Sequence, residues 1–115
     1  MTVTIWHNPR CSKSRQTLAL IREKGIEPEI VEYLKTPPDA AAIRGALKKL
    51  GIGPRDLLRK GEAAYKARKL SDTSLSDDAL IQAMAEEPVL IERPVVMTDG
   101  RAALGRPPEA VLEVL

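Results

Sequence analysis

Cys11 is the single cysteine of the chain and His7 its single histidine, separated by Asn8, Pro9 and Arg10. Only the thiolate form of a cysteine is a strong nucleophile, so the question is what surrounds Cys11. It stands where an extended segment turns into a helix. The unpaired N–H groups around Lys13, Ser14 and Arg15 should face its sulfur, and the helix dipole adds partial positive charge. Arg10, Lys13 and Arg15 add formal charge nearby. Each effect favours the thiolate, and such settings lower a cysteine pKa from about 8.5 by one to several units. A lone cysteine is otherwise a small packing residue; the cationic neighbours at a helix start favour the reactive reading. His7 is a candidate ion-pair partner for the thiolate, a hydrogen-bonding anchor for the loop, or a structural turn residue. Asn8 and Ser14 have the atoms to hydrogen-bond the sulfur or a bound anion, or to act as caps.

Three arginines stand apart from those expected on solvated faces, because each follows apolar residues or a tight turn. They are Arg59 in Leu57-Leu58-Arg59, Arg93 in Ile91-Glu92-Arg93-Pro94, and Arg106 in Leu104-Gly105-Arg106-Pro107. A guanidinium fork binds two oxygens of a tetrahedral oxyanion at once. Other chemistries fail on missing residues. A phosphatase loop would need Arg where Thr17 stands, and a dithiol pair would need Cys where Ser14 stands. No GxxxxGK[ST] or GxSxG is present, and one Cys with one His builds no zinc cluster.

The elements that must position these groups are legible in outline. Residues 3–6 are β-prone, Asn8-Pro9 marks a turn, and Cys11 to Lys24 is helical with Thr17, Leu18 and Ile21 on one face and Gly25 as the stop. Glu29 to Leu34 alternates like a strand. Strand, helix and strand in succession read as a βαβ unit with parallel strands. Thr36-Pro37-Pro38-Asp39 reads as a helix start with Thr36 as N-cap, and Ile43, Ala46, Leu47 and Leu50 follow at helical spacing up to Gly51. Pro54 to Lys60 reads as a helical turn. Ser76 caps a further helix with Leu80, Ala83 and Met84 as its stripe. Pro94 to Thr98 and Arg101 to Leu104 flank Asp99-Gly100, a pairing suited to a type I′ hairpin. Pro107-Pro108-Glu109 opens a short last helix carrying Val111, Leu112 and Leu115. Residues 61–75 are charged and without clear period.

The order βαβ, helices, ββ, α is compatible with an α/β, thioredoxin-like layout: a mixed four-stranded sheet interrupted by a helical insertion over about residues 36–87, within one domain spanning 1–115. The 115 residues, 43% apolar and 30% charged, suit one globular core. With aromatics at 3%, that core must be built from Leu, Ile, Val and Ala. A net charge of +2 argues against nucleic-acid binding. No run approaches the roughly 20 apolar residues that span a bilayer, and the N-terminal residues lack the marks of a secretory signal. A reduced, cytoplasmic setting and a monomer are the default expectations.

His7-Asn8-Pro9-Arg10-Cys11-Ser12-Lys13-Ser14-Arg15 resembles the HNPxCxxSR loop of the glutaredoxin-coupled arsenate reductase family. The likeness continues through Tyr33-Leu34 with Pro37-Pro38, Leu57-Leu58-Arg59-Lys60, Ile91-Glu92-Arg93-Pro94-Val95-Val96 and Arg106-Pro107, covering essentially the whole chain in order. The resemblance implies a thioredoxin-like fold with Cys11 as nucleophile and His7, Asn8 and Ser14 stabilising its thiolate. It implies that Arg59, Arg93 and Arg106 bind the oxyanion and that Pro94 is the cis-proline beside the active site. The implied reaction is reduction of arsenate to arsenite through a cysteine–arsenic adduct, with no bound cofactor or metal, glutathione as co-substrate and glutaredoxin as partner. Relative to longer members the sequence stops at Leu115, so no role for a C-terminal tail is expected. Two other readings stand beside this one: an Spx-like regulator that binds RNA polymerase, and a thiol-transfer protein acting on another small substrate. The former often carries Cys-x-x-Cys, against Ser14 here.

Overall fold

The structure, a computed structural model, describes residues 2–115. Val3, Ile5 and Trp6 are buried, and they anchor the inner strand β1 (Thr4–Trp6). Helix α1 (Ser12–Glu23) follows, burying Ser14, Thr17, Leu18 and Ile21. It ends before Gly25, whose φ of +77° only glycine adopts without steric cost. Strand β2 (Glu29–Val31) then pairs parallel with β1, Ile30 opposite Ile5. Strands β3 (Val95–Met97) and β4 (Ala102–Leu104) complete a mixed four-stranded sheet in the order β2-β1-β3-β4, with β3 antiparallel to both β1 and β4.

The chain divides into two compact units. One contains the described residues up to Thr36 together with Arg93–Leu115. Its core is a cluster of Val3, Ile5, Leu18, Ile21, Val96, Val111 and Val114. The other unit is Pro37–Glu92, the stretch read as an insertion over about 36–87, and it runs on to Glu92. It holds α2 (Ala40–Leu50), α3 (Pro54–Leu57), α4 (Ala63–Ala67) and α5 (Asp77–Glu86), then a short 3₁₀ turn at Pro88–Leu90. Ile43, Leu57, Leu80, Met84, Leu90 and Ile91 are fully buried within it. Among the described residues no helix is long and apolar enough to cross a membrane.

Several local expectations are corrected. Helix α2 is capped by Asp39, whose carboxylate accepts the Ala42 N–H at 2.8 Å, and not by Thr36. Pro38 disfavours the helical region for Pro37, so the helix cannot begin there. Strand β2 stops at Val31, because Lys35 and Thr36 both donate N–H groups to the Glu32 carbonyl and close a turn that buries Tyr33. The turn expected over 54–60 ends at Leu57, since Leu58 pairs in an antiparallel bridge with Ile91. Neither Asp99 nor Gly100 takes a positive φ, so the hairpin is not type I′; strands of three residues accumulate little twist for a primed turn to match. The last helix is 3₁₀ (Pro108–Glu113). Its three-residue period turns Val111 and Val114 inward, leaving Leu112 and Leu115 partly exposed. Helix α4 within 61–75 was not foreseen, having no buried residue to give it a period.

Candidate active site

Cys11 is the N-cap of α1, with extended backbone (φ −94°, ψ 122°), and no side-chain oxygen caps the helix. Its sulfur takes the place of that oxygen. The N–H groups of Ser14 and Lys13 donate to it, as does the Arg93 guanidinium, which also acts through its charge. Partial burial pushes the thiol pKa up, but the Ser14 N–H, Arg93 and the Lys13 N–H outweigh burial, and Cys11 titrates below its ordinary value. Two expectations shift here. The Arg15 N–H donates to the Cys11 carbonyl at 3.0 Å and so does not face the sulfur. The formal charge acting on the sulfur is that of Arg93, while the Arg15 side chain holds the Pro9 carbonyl at 2.9 Å.

The loop before Cys11 is organised around Ser14, which is fully buried. Its hydroxyl oxygen accepts the Asn8 N–H at 3.0 Å and lies 2.6 Å from Nδ1 of His7. The Asn8 carbonyl accepts the Cys11 N–H at 3.0 Å, and its side-chain oxygen accepts the Arg10 N–H at 3.0 Å. Burial lowers the pKa of His7, opposed by Glu32 and assisted by Arg22 and Arg15. A neutral ring is no cationic partner for a thiolate. Of the roles open to His7, the geometry is that of a hydrogen-bonding anchor, joined through Ser14 to the helix that carries Cys11. Its own N–H donates to the Val31 carbonyl at 2.8 Å, tying the loop to the sheet.

Pro94 follows a cis peptide bond from Arg93, and a second cis bond joins Arg106 to Pro107, which sequence reasoning did not anticipate. The Arg106 Nε donates to the Arg93 carbonyl at 3.0 Å, so these two arginines share one corner of the unit that carries Cys11. Between them in sequence lies Gly105, whose N–H donates to the Pro94 carbonyl at 2.9 Å. A Cβ on Gly105 would fall 2.4 Å from the Thr17 hydroxyl and 2.6 Å from Pro94 Cγ. Thr17, itself buried, turns that hydroxyl to the Lys13 carbonyl at 2.8 Å. The absence of a side chain at 105 therefore lets the arginine-bearing segment close on α1. Glycine beside Arg106 was visible in the sequence; its close approach to Thr17 and Pro94 was not.

Arg59 belongs to the other unit. Backbone bonds from Arg59 N–H to Leu90 O and from Glu92 N–H to Leu57 O, both 2.8 Å, fix the paired segments there. Its guanidinium is held by Glu62 at 3.2 Å and Glu92 at 2.6 Å, partners that local spacing did not reveal in the case of Glu92.

A mixed sheet bearing one activated thiol at a helix start, with arginine and a cis-proline against it, defines a thioredoxin-like thiol protein. The chain matches the ArsC family over residues 6–114, and it belongs to that family. It is 57% identical over 114 residues to the uncharacterized protein YfgD of Escherichia coli strain K12, covering 98% of this chain and 96% of the relative. It is 46% identical over 114 residues to an arsenate reductase of Neisseria meningitidis, covering 98% and 97%. The solved arsenate reductase from Vibrio cholerae superposes with a TM-score of 0.97 at 51% identity, covering 100% of this chain and 98% of that one. The fold is thioredoxin-like, as such neighbours require.

Proposed function

We propose that this protein reduces arsenate to arsenite with the Cys11 thiolate as nucleophile. The observation that carries the reading is geometric: Cys11 stands at the start of α1, where the Ser14 and Lys13 amides and the Arg93 guanidinium converge on one sulfur and favour its thiolate. Relatives over nearly the full chain are named arsenate reductases, which supports it.

The anion enters against Arg93, Arg106 and the N–H groups after Cys11. Sulfur attacks arsenic, an S–As bond forms and an As–O bond breaks, and the oxygen leaves as water. With no second cysteine, the next sulfur comes from outside. Glutathione condenses on the arsenic, and another water leaves without change of oxidation state. A glutaredoxin thiolate then attacks the glutathione sulfur. The As–S bond to glutathione breaks with its electron pair remaining on arsenic, so As(V) becomes As(III) while two sulfurs are oxidised to a mixed disulfide. Water releases arsenite and restores the Cys11 thiolate. A reducing cytoplasm supplies both thiols. Phosphate occupies the same cradle without turnover, since thiols do not reduce phosphorus.

The test is a coupled assay following NADPH, with glutathione, glutaredoxin and glutathione reductase supplied and arsenate added or omitted. Wild-type protein should oxidise NADPH and form arsenite only with arsenate present. Cys11→Ser should lose all of this while keeping its circular dichroism and unfolding midpoint. Turnover retained by the variant would remove Cys11 from the reaction, and arsenate-independent consumption would point to thiol transfer.

A further inference from the structure

Two hollows open beside residues 7–9, both within the unit that carries Cys11. The larger, about 650 Å³, lies along α1 between Arg15 and Arg22. Its cations are already engaged. Arg15 holds the Pro9 carbonyl, and Arg22 grips Glu27 through two bonds of 3.1 and 3.0 Å. The second, about 410 Å³, runs from residues 7–10 to Glu32, Leu34 and Lys35 in the turn after β2. Its charges are loosely held. Among the described residues Arg10 forms no ion pair, and the Lys35–Glu32 pair is 3.6 Å long between side chains 79% and 40% exposed. Leu34 adds a large apolar side chain, 43% exposed. The hollow thus offers two cations, one carboxylate and an apolar surface. Its other wall is the reactive loop itself, where the Asn8 carbonyl accepts the Cys11 N–H.

We infer that this second hollow seats glutathione, an inference that rests on the function proposed above. At neutral pH glutathione carries two carboxylates and one ammonium. Arg10 and Lys35 match the carboxylates and Glu32 the ammonium, and Leu34 covers the peptide's apolar atoms. Seated there, the tripeptide holds its thiol beside the loop that carries the arsenic, where the S–As bond forms as water leaves. The larger hollow lacks this set, because its guanidinium groups are spent on protein oxygens.

S-methylglutathione, which cannot react, separates binding from turnover. Calorimetric titration should show saturable binding to the wild-type chain, weakened about tenfold by Arg10→Glu and by Lys35→Glu. Lys24→Glu makes the same change in net charge at the far end of α1 and should leave binding unaltered. Equal affinity in wild type, Arg10→Glu and Lys35→Glu, or no saturable binding at millimolar peptide, overturns the inference. In the coupled assay, Lys35→Glu should raise the KM for glutathione about tenfold while the KM for arsenate stays fixed. An unmoved glutathione KM with normal turnover overturns the seat and leaves the reductase reading standing. Charge-sensitive peptide binding in a protein that never turns arsenate over does the reverse.

Discussion

A thiol that caps a helix has its reactivity set by few atoms, and each can be removed. The Cys11 thiolate fraction rises with pH about a midpoint lowered by the Ser14 and Lys13 amides and by Arg93. Alkylation by iodoacetamide should therefore stay fast at pH values where an ordinary cysteine is protonated. Arg93→Ala removes a donor and a charge, so the alkylation midpoint should move up; an unchanged pH profile would detach Arg93 from the sulfur. His7 gives an opposite kind of dependence. Unfolded, it titrates near 6.5, and in the fold burial lowers that value. Between the two values the unfolded chain binds more protons, so stability is complete above about pH 6.5 and falls as pH drops toward the folded value. Urea midpoints should decline over that window in wild type and stay flatter in His7→Gln. Most of this corner was legible beforehand, because residues 7–15 are contiguous and helix capping is a local matter. Arg93 was read as an anion binder and is also a thiol partner; nothing near position 93 in the chain indicates which side chain it meets.

At the scale of elements, the sharpest constraint is the approach of Gly105 to α1. A methyl group there meets the Thr17 hydroxyl and the Pro94 ring at distances no real contact shows. Gly105→Ala should cost about 2–3 kcal/mol in chemical denaturation and impair turnover as well, because relief must come from moving α1 or the Pro94 segment. A fully stable and active Gly105→Ala would show that the segment has slack. The helices read best from sequence are those with a buried stripe, α1, α2 and α5. Starts and stops were less secure. Thr36 lost the cap to Asp39 through the constraint one proline imposes on the residue before it. The strand after α1 ended early because carbonyl Glu32 drew two amides into a turn. Helix α4 buries no residue, so periodicity had nothing to detect.

For the whole molecule, ligand binding and unfolding are linked by mass action. An oxyanion that binds only the folded chain at one hundred times its Kd adds about 2.7 kcal/mol, equivalent to a rise of about 10 °C in Tm. Arsenate and phosphate should both produce that rise, and Trp6, buried next to His7, should change its emission. Arg93→Ala should abolish both responses; a shift retained in that variant would place the anion elsewhere. The broad division of the chain was readable, since a βαβ start and a ββα end enclose a purely helical stretch. That the second unit extends to Glu92 was not, because the Leu58–Ile91 bridge joins segments far apart in sequence.

The hydroxyl of Ser14 occupies a position where a sulfur would be both useful and inadmissible. A thiol there would create a dithiol pair with Cys11 and supply the second sulfur from within, leaving only the resulting disulfide to be reduced from outside. Yet Ser14 has no exposed surface, and its oxygen sits 2.6 Å from the His7 ring with an amide on its other side. Sulfur, larger and a poorer acceptor, would prise the loop apart. An internal second sulfur is thereby closed off by packing, and under the proposed chemistry the protein idles with arsenic on its cysteine whenever its surroundings run short of reducing thiols.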